Sequence, residues 1–365
     1  MEIVGDVHNF GHKTTVIGEV VEKFRPIYWE WLFLSKNSPL RTYCQSELGS
    51  NDPFLSFASL NFHTQKDELD RFQKHTVETL QIKKVSDFKE KEAFKLGQSF
   101  GACTFFGITD LHSENFLIGR DKNDHFIASP IDIEICFEKV DALSETHLIS
   151  SSTVSKNIVS IFDGIEVADD LVSTLIEGFL HSWRTLEKKA NDIHHLLEII
   201  NLKNIPIRLV VTPTNSYKDY FLGKKKIDEF SQEEAIQLLR GDYPYFWTSL
   251  DSNSAFYFQT ISEKVEIQDK KLRELLYNGK RFNLDNILKD SVQLKQISIL
   301  QIARALDEGK PAFVSSSEQI HTVYFKDHIY VKTGNQGVKC KRLKNSFLYS
   351  PSESYPLAQF KRGSK

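Results

Sequence analysis

The sequence predicts an α+β chain in two lobes, a small β-rich N-terminal lobe and a larger, mainly helical C-terminal lobe. Two observations predict it. The first 27 residues alternate with the period of strands, and long stretches from residue 89 onward carry apolar residues at helical spacing. A length of 365 residues fits about two such units. The N-terminal lobe is expected over about 1–88 and the C-terminal lobe over about 89–308, with 309–365 a hairpin and basic tail.

The strands are expected at Glu2 to Asp6, Lys13 to Gly18 and Val20 to Arg25, the first two joined by the turn Gly5-Asp6-Val7-His8-Asn9-Phe10-Gly11. Aromatics and Leu recur helically from Tyr28 to Ser35, and Asn37-Ser38-Pro39 stops the run. Asp67 to Thr79 and Lys89 to Phe106 read as amphipathic helices. Phe116 to Gly119 and Phe126-Ile127 flank the turn Asp121-Lys122-Asn123-Asp124 as a hairpin. Ser144 to Ser155 reads as a loop, Asp169 to Leu197 as a long helix and Ile205 to Val211 as a strand. Ser231-Gln232-Glu233-Glu234 is a capping box opening the next helix. Leu284 to Leu306 reads as helix, Thr322 to Lys332 as a hairpin. Beyond it Lys339, Lys341, Arg342, Lys344, Lys361, Arg362 and Lys365 form a basic tail.

Composition excludes several classes. The 46 Lys and Arg against 49 Asp and Glu argue against a nucleic-acid partner. No window approaches the ~18 consecutive apolar residues of a membrane span, and Met1 to Gly11 carries no signal-peptide pattern; a soluble, cytoplasmic protein is expected. Cys44, Cys103, Cys136 and Cys340 are too scattered for a disulfide framework or a cysteine zinc site. His194-His195 reads as solvated helix residues. The 27 Phe and 12 Tyr suit a large core.

The chemistry-bearing pattern is Asp110-Leu111-His112-Ser113-Glu114-Asn115, followed across the hairpin by Ile131-Asp132-Ile133-Glu134. Phosphoryl transfer needs a carboxylate at the acceptor hydroxyl, and an amide and a second carboxylate that hold Mg²⁺ against the phosphates of ATP. Kinases carry the first carboxylate and the amide five residues apart and bring the second carboxylate from the next hairpin. Asp110, Asn115 and Asp132 reproduce that layout, which makes the expected fold protein- or lipid-kinase-like. The turn from Gly5 to Gly11 would then cover the phosphates, and Arg25, ahead of Lys23, would be the basic residue of the third strand.

Further motifs extend the pattern. Phe24-Arg25-Pro26, Arg208-Leu209-Val210-Val211-Thr212-Pro213-Thr214-Asn215-Ser216-Tyr217 and Gly241-Asp242-Tyr243-Pro244-Tyr245-Phe246 follow in order. Together with the Asp6 to Gly11 turn and the Asp110 to Asn115 loop, they resemble the dehydratase domain of class II lanthipeptide synthetases over roughly 300 residues.

The resemblance implies an ATP- and Mg²⁺-dependent lyase acting on Ser and Thr of a precursor peptide with a leader segment. The hydroxyl is phosphorylated and phosphate is then eliminated, leaving dehydroalanine or dehydrobutyrine. It gives Asp110 the role of base or orienter, places Asn115 and Asp132 on the metal, and puts His112 and Glu134 in the same site. Arg208, Thr214, Asp6 and His8 are tied to elimination. Nothing in the chain resembles the family's zinc cyclase, so a stand-alone dehydratase working with a separate cyclase is expected. Two positions depart from the family pattern: Arg25 stands for a Lys and Thr212 for a second Arg. They leave open a non-catalytic peptide-binding protein, while the Asp110 to Asn115 loop followed by the Ile131-Asp132 strand leaves open a kinase acting on a peptide or small molecule, as in the aminoglycoside and choline phosphotransferases.

Overall fold

The computed structural model describes residues 2–83, 85, 89–112, 114–148, 169–268, 274–276, 280–289, 294–295, 298–299 and 301–302, together with the backbone of five strands between 314 and 351. It is an α+β fold whose N-terminal region is rich in sheet. Strands β1 (Glu2–His8), β2 (His12–Ile17), β3 (Val20–Lys23) and β4 (His75–Glu78) form one antiparallel sheet in sequence order. β4 is a correction: the segment from Asp67 to Thr79 is not a helix but a short 3-10 turn at Lys66–Glu68 followed by this strand. His75 and Val77 are buried while Thr76 and Glu78 are half-buried, an alternation of period two that the helical reading of the preceding acidic residues hid.

Helix α1 (Tyr28–Leu34) is buried on every side. Ser38 then caps α2 (Pro39–Leu48), its hydroxyl accepting the Arg41 amide at 3.1 Å, with Pro39 in the first helical turn. The residues that stop one helix thus start another. Trp29, Phe33, Phe54, Phe106 and Phe137 form the aromatic centre of the core, with Phe33 to Phe106 at 5.3 Å and Trp29 to Phe137 at 5.7 Å between ring centroids. Trp29 Nε1 donates to Pro206 O at 2.7 Å, pinning α1 to the second half of the chain.

Helix α3 (Glu90–Phe105) crosses α4 (Asp169–Lys188) at very short range. A Cβ on Gly97 would meet Leu175 O at 1.9 Å, and one on Gly178 would meet Phe94 O at 2.0 Å. Only residues without a side chain allow that approach. α5 (Ala190–Ile199) continues α4 after a break at Lys189. Between α3 and α4 the expected hairpin is present as β5 (Phe116–Arg120) and β6 (Phe126–Pro130). Asp121 Oδ1 accepts the Asn123 and His125 amides of its turn at 2.8 and 2.9 Å.

The rest of the C-terminal half contributes β7 (Ile207–Leu209), α6 (Thr214–Phe221), α7 (Gln232–Leu239), β8 (Phe246–Thr248), β9 (Phe256–Thr260) and β10 (Glu263–Glu266), the strands in the order β10-β9-β8-β7. The capping box of α7 forms as expected, the Ser231 hydroxyl accepting the Glu234 amide at 3.2 Å.

Three further expectations change. Leu143–Thr146 is a 3-10 turn where a loop was expected, and 149–155 of that segment lie outside the described residues. Leu284–Leu288 is also 3-10, with helical residues at 294–295, 298–299 and 301–302. The C-terminal hairpin is part of a five-stranded meander, β11 (Val314–Ser317), β12 (Ile320–Phe325), β13 (His328–Thr333), β14 (Gln336–Arg342) and β15 (Phe347–Pro351). Lys339, Lys341 and Arg342 lie on β14; Lys344, Lys361, Arg362 and Lys365 lie outside the described residues. No helix among the described residues is long and apolar enough to cross a membrane.

Candidate functional site

β3 ends at Lys23, so the basic residue on the third strand is Lys23, and Arg25 lies just past it. Both side chains are buried, and buried cations require partners. Lys23 Nζ donates to both carboxylate oxygens of Glu30 at 3.0 Å and to Asp132 Oδ1 at 2.7 Å, which uses all three of its protons. Arg25 also reaches Glu30 and Asp132 through Nη2, donates to Pro26 O at 2.9 Å, and meets Glu134 Oε1 at 3.2 Å. Glu30 sits on α1, so the first helix supplies the carboxylate under the strand's lysine.

Asp132 and Glu134 enter from the segment after β6. Glu134 Oε1 accepts from Arg208 at 3.2 Å and its Oε2 from the Tyr245 hydroxyl at 2.8 Å. On β7, Ile207 and Leu209 are buried on one side while Arg208 turns to the other, where its guanidinium lies over the Tyr245 ring at 5.4 Å. Three cations, Lys23, Arg25 and Arg208, therefore interleave with three carboxylates, Glu30, Asp132 and Glu134.

The electrostatics follow from burial and pairing. Burial alone would raise the Asp132 carboxyl, yet Arg25 and Lys23, with Arg208 farther off, hold it far below the usual range. For Glu30 burial wins and the carboxyl is raised despite Arg25 and Lys23. Burial opposes charge on Arg25 and Arg208, but the surrounding carboxylates hold both above the ordinary guanidinium value. Burial and the neighbouring Glu134 push the Tyr245 hydroxyl well up. Asp132 is the carboxylate of this set that opens outward, with 32% of its side chain exposed against 1% for Glu30. Its hydrogen bonds among the described residues all fall on Oδ1, which leaves Oδ2 to a ligand.

The loop from Asp110 to Asn115 joins this cluster at Asn115, whose carbonyl accepts the Ile131 amide at 3.0 Å beside Asp132. Asn115 Nδ2 donates to Asp110 O at 2.9 Å and lies 3.2 Å from His112 Nε2, so its Oδ1 is the amide atom left for a cation. Asp110 itself stands in a left-handed conformation, φ +64°. Among the described residues no set of three or more His, Cys, Asp or Glu side chains forms a metal cage. Asn115 Oδ1 and Asp132 Oδ2 suit instead a hard cation that shares its coordination with a ligand's oxygens and water.

The remaining expected residues divide. The His8 ring packs edge-on against Tyr245 at 5.5 Å, and Nδ1 lies 2.8 Å from Tyr243 O. Burial, then Arg208, lowers its pKa, which favours the neutral imidazole. Asp6 is an electrostatic neighbour of His8 and Tyr243, with no hydrogen bond to the cluster among the described residues. Thr214 opens α6, and among the described residues no hydrogen bond joins it to the cluster. The turn expected to cover phosphates is already engaged, because the Phe10 and Gly11 amides donate to Asp242 at 2.7 and 2.8 Å. Arg240 completes this dock, its Nε 2.6 Å from Asp242 and its guanidinium 4.0 Å above the Phe10 ring. That contact gives the Gly241-Asp242-Tyr243-Pro244 motif a physical role. A cavity of about 640 Å³ lies elsewhere, lined by Glu78, Thr79, Gln81, Lys95, Phe126 and Ile127 among others, and none of the ion-paired cluster faces it. The perturbed groups and the outward carboxylate single out the cluster instead.

No family model matches the chain, and no curated protein matches it.

Residue-by-residue reading missed Glu30 and Tyr245 and ranked Lys23 second to Arg25. Glu30 carries a usable signal, a lone carboxylate within Tyr28-Trp29-Glu30-Trp31-Leu32-Phe33-Leu34. A charge in so apolar a helix needs a buried partner.

Proposed function

We propose that this chain has a kinase-like fold and acts as a peptide Ser/Thr dehydratase, phosphorylating the hydroxyl with ATP and then eliminating phosphate. The observation that carries the reading is Lys23, which bridges Glu30 on the first helix and Asp132 after the hairpin. This bridge supports the reading because protein kinases use a strand lysine paired with a helix glutamate beside a metal-binding carboxylate. Bound Mg²⁺, held by Asn115 and Asp132, would neutralise phosphate charge. Lys23 and Arg25 would exchange part of their contact with Asp132 for phosphate oxygens. Asp110 takes the hydroxyl proton as the hydroxyl oxygen bonds to the γ-phosphorus and the bond to the bridging oxygen of ADP breaks.

In the elimination a base takes the α-proton, the electron pair left behind forms the double bond between Cα and Cβ, and the bond from Cβ to oxygen breaks to release phosphate. Arg208 is the planar donor suited to that leaving group. Its position beside Glu134, in the same cluster as Asp132, supports one site for both steps. A second reading, a kinase that stops at the phosphate, is favoured by the absence, among the described residues, of a hydrogen bond between Thr214 and the cluster and by the engagement of Arg208 with Glu134 and Tyr245. Intact-mass measurement of Ser/Thr peptides incubated with protein, ATP and Mg²⁺ separates the two. Net loss of water supports the dehydratase, a phosphate that stays supports the kinase, and an unchanged peptide contradicts both.

A further inference from the structure

Asp110 is held by more than its own loop. The preceding Thr109 donates its hydroxyl to Glu138 Oε2 at 2.6 Å, and Arg281 Nε holds the other oxygen of Glu138 at 2.8 Å. On the opposite side, the Leu111 amide donates to Thr146 O at 3.0 Å. This bond ties the loop to the 3-10 turn Leu143–Thr146, whose own amides are fixed from the last described helical residues. Leu143 N donates to Ser298 Oγ at 3.0 Å and Ser144 N to Gln301 Oε1 at 2.9 Å. His147 follows this turn directly. Its Nδ1 lies 3.7 Å from Asp110 Oδ1, an ion-pair distance.

Both members of the pair have unusual backbones, Asp110 at φ +64° and His147 at φ +67°. Left-handed non-glycine residues are uncommon and strained, and here two face one another across a built junction. The left-handed turn at His147 directs the chain so that the ring meets Asp110.

We infer that His147 is a positioning residue for Asp110. By engaging Oδ1 it fixes the carboxylate rotamer and leaves Oδ2 toward the acceptor hydroxyl. The inference rests on the phosphoryl-transfer reading for the role of Asp110, whereas the pair itself stands on geometry. The charged groups facing the imidazole are Asp110 and Glu138, and the carboxylate of Asp110 raises its pKa over the opposing effect of burial. The cationic form therefore persists above the pH at which a free imidazole loses its proton.

Two measurements test this. NMR titration of the His147 ring in the full chain and in Asp110→Asn reads the pair without any activity. A lower His147 pKa in the variant is expected, and an unchanged one overturns the pairing. His147→Asn, which tolerates the left-handed backbone, is expected to lower kcat about fivefold with KM unchanged. It should also remove the alkaline limb that His147 imposes on kcat. Wild-type kcat and pH profile in a folded His147→Asn protein would overturn the positioning role. A wild type that transfers no phosphoryl group would overturn the functional reading and the catalytic half of the inference, while the titration still decides the pair.

Discussion

Lys23 and Asp132 are 109 residues apart in the chain and 2.7 Å apart in the fold, with Glu30 gripping the same ammonium from the other side. Removing Lys23 takes away the donor that joins strand, helix and post-hairpin segment. Lys23→Met is expected to lower phosphoryl transfer by about 10²–10³ while the peptide still binds. Single-turnover transfer from labelled ATP together with peptide-binding titration checks both halves.

Glu30 tests the stability of the same network. It is 1% exposed and is held by two cations, so neutralising it leaves buried positive charge uncompensated. Glu30→Gln is expected to cost about 3–5 kcal/mol, read as a lower urea midpoint with an unchanged slope. A midpoint like that of the wild type would mean that Lys23 and Arg25 are satisfied without it.

His8 gives a pH dependence with a defined sign. Its folded pKa lies below the ordinary 6.5, so the unfolded chain binds the proton more readily. The stability His8 contributes is full above 6.5 and is lost as pH falls from there through the lower folded value. Denaturation midpoints measured downward from pH 7 should decline more steeply in the wild type than in His8→Gln.

The crossing of α3 and α4 has no slack at Gly97, where an added Cβ would sit 1.9 Å from Leu175 O. Gly97→Ala is expected to destabilise by about 1–3 kcal/mol or more, despite the higher helix propensity of alanine. A thermal midpoint at or above that of the wild type would contradict the crossing geometry.

These contacts show which parts of the molecule were legible in its sequence. The first three strands, the helix from Tyr28, the hairpin around Asp121 and the Ser231 capping box follow from local periodicity and turn chemistry, which one segment carries by itself. The strand at His75–Glu78 did not, because its four residues complete a sheet whose partner strand lies more than fifty residues earlier. Arg25 and Arg208 were singled out by motif position, and both meet Glu134. Glu30 and Tyr245 were not, since a buried charge or hydroxyl is explained only by what lies opposite it. Asp242 belonged to a recognised motif, but its two amide partners sit in the N-terminal turn, a pairing that local sequence does not encode.

The proposed activity is transfer of a phosphoryl group from ATP to a peptide hydroxyl by the cluster around Asp132. Its most direct measurement follows label from the γ-phosphate of ATP in the presence of Mg²⁺ and a library of Ser/Thr peptides, for the wild type and Asp132→Asn. The predicted result is label on peptide, followed by peptide-dependent release of labelled phosphate, with both lost in Asp132→Asn. Label that neither reaches peptide nor is released faster in its presence, or transfer that persists in Asp132→Asn, would contradict it.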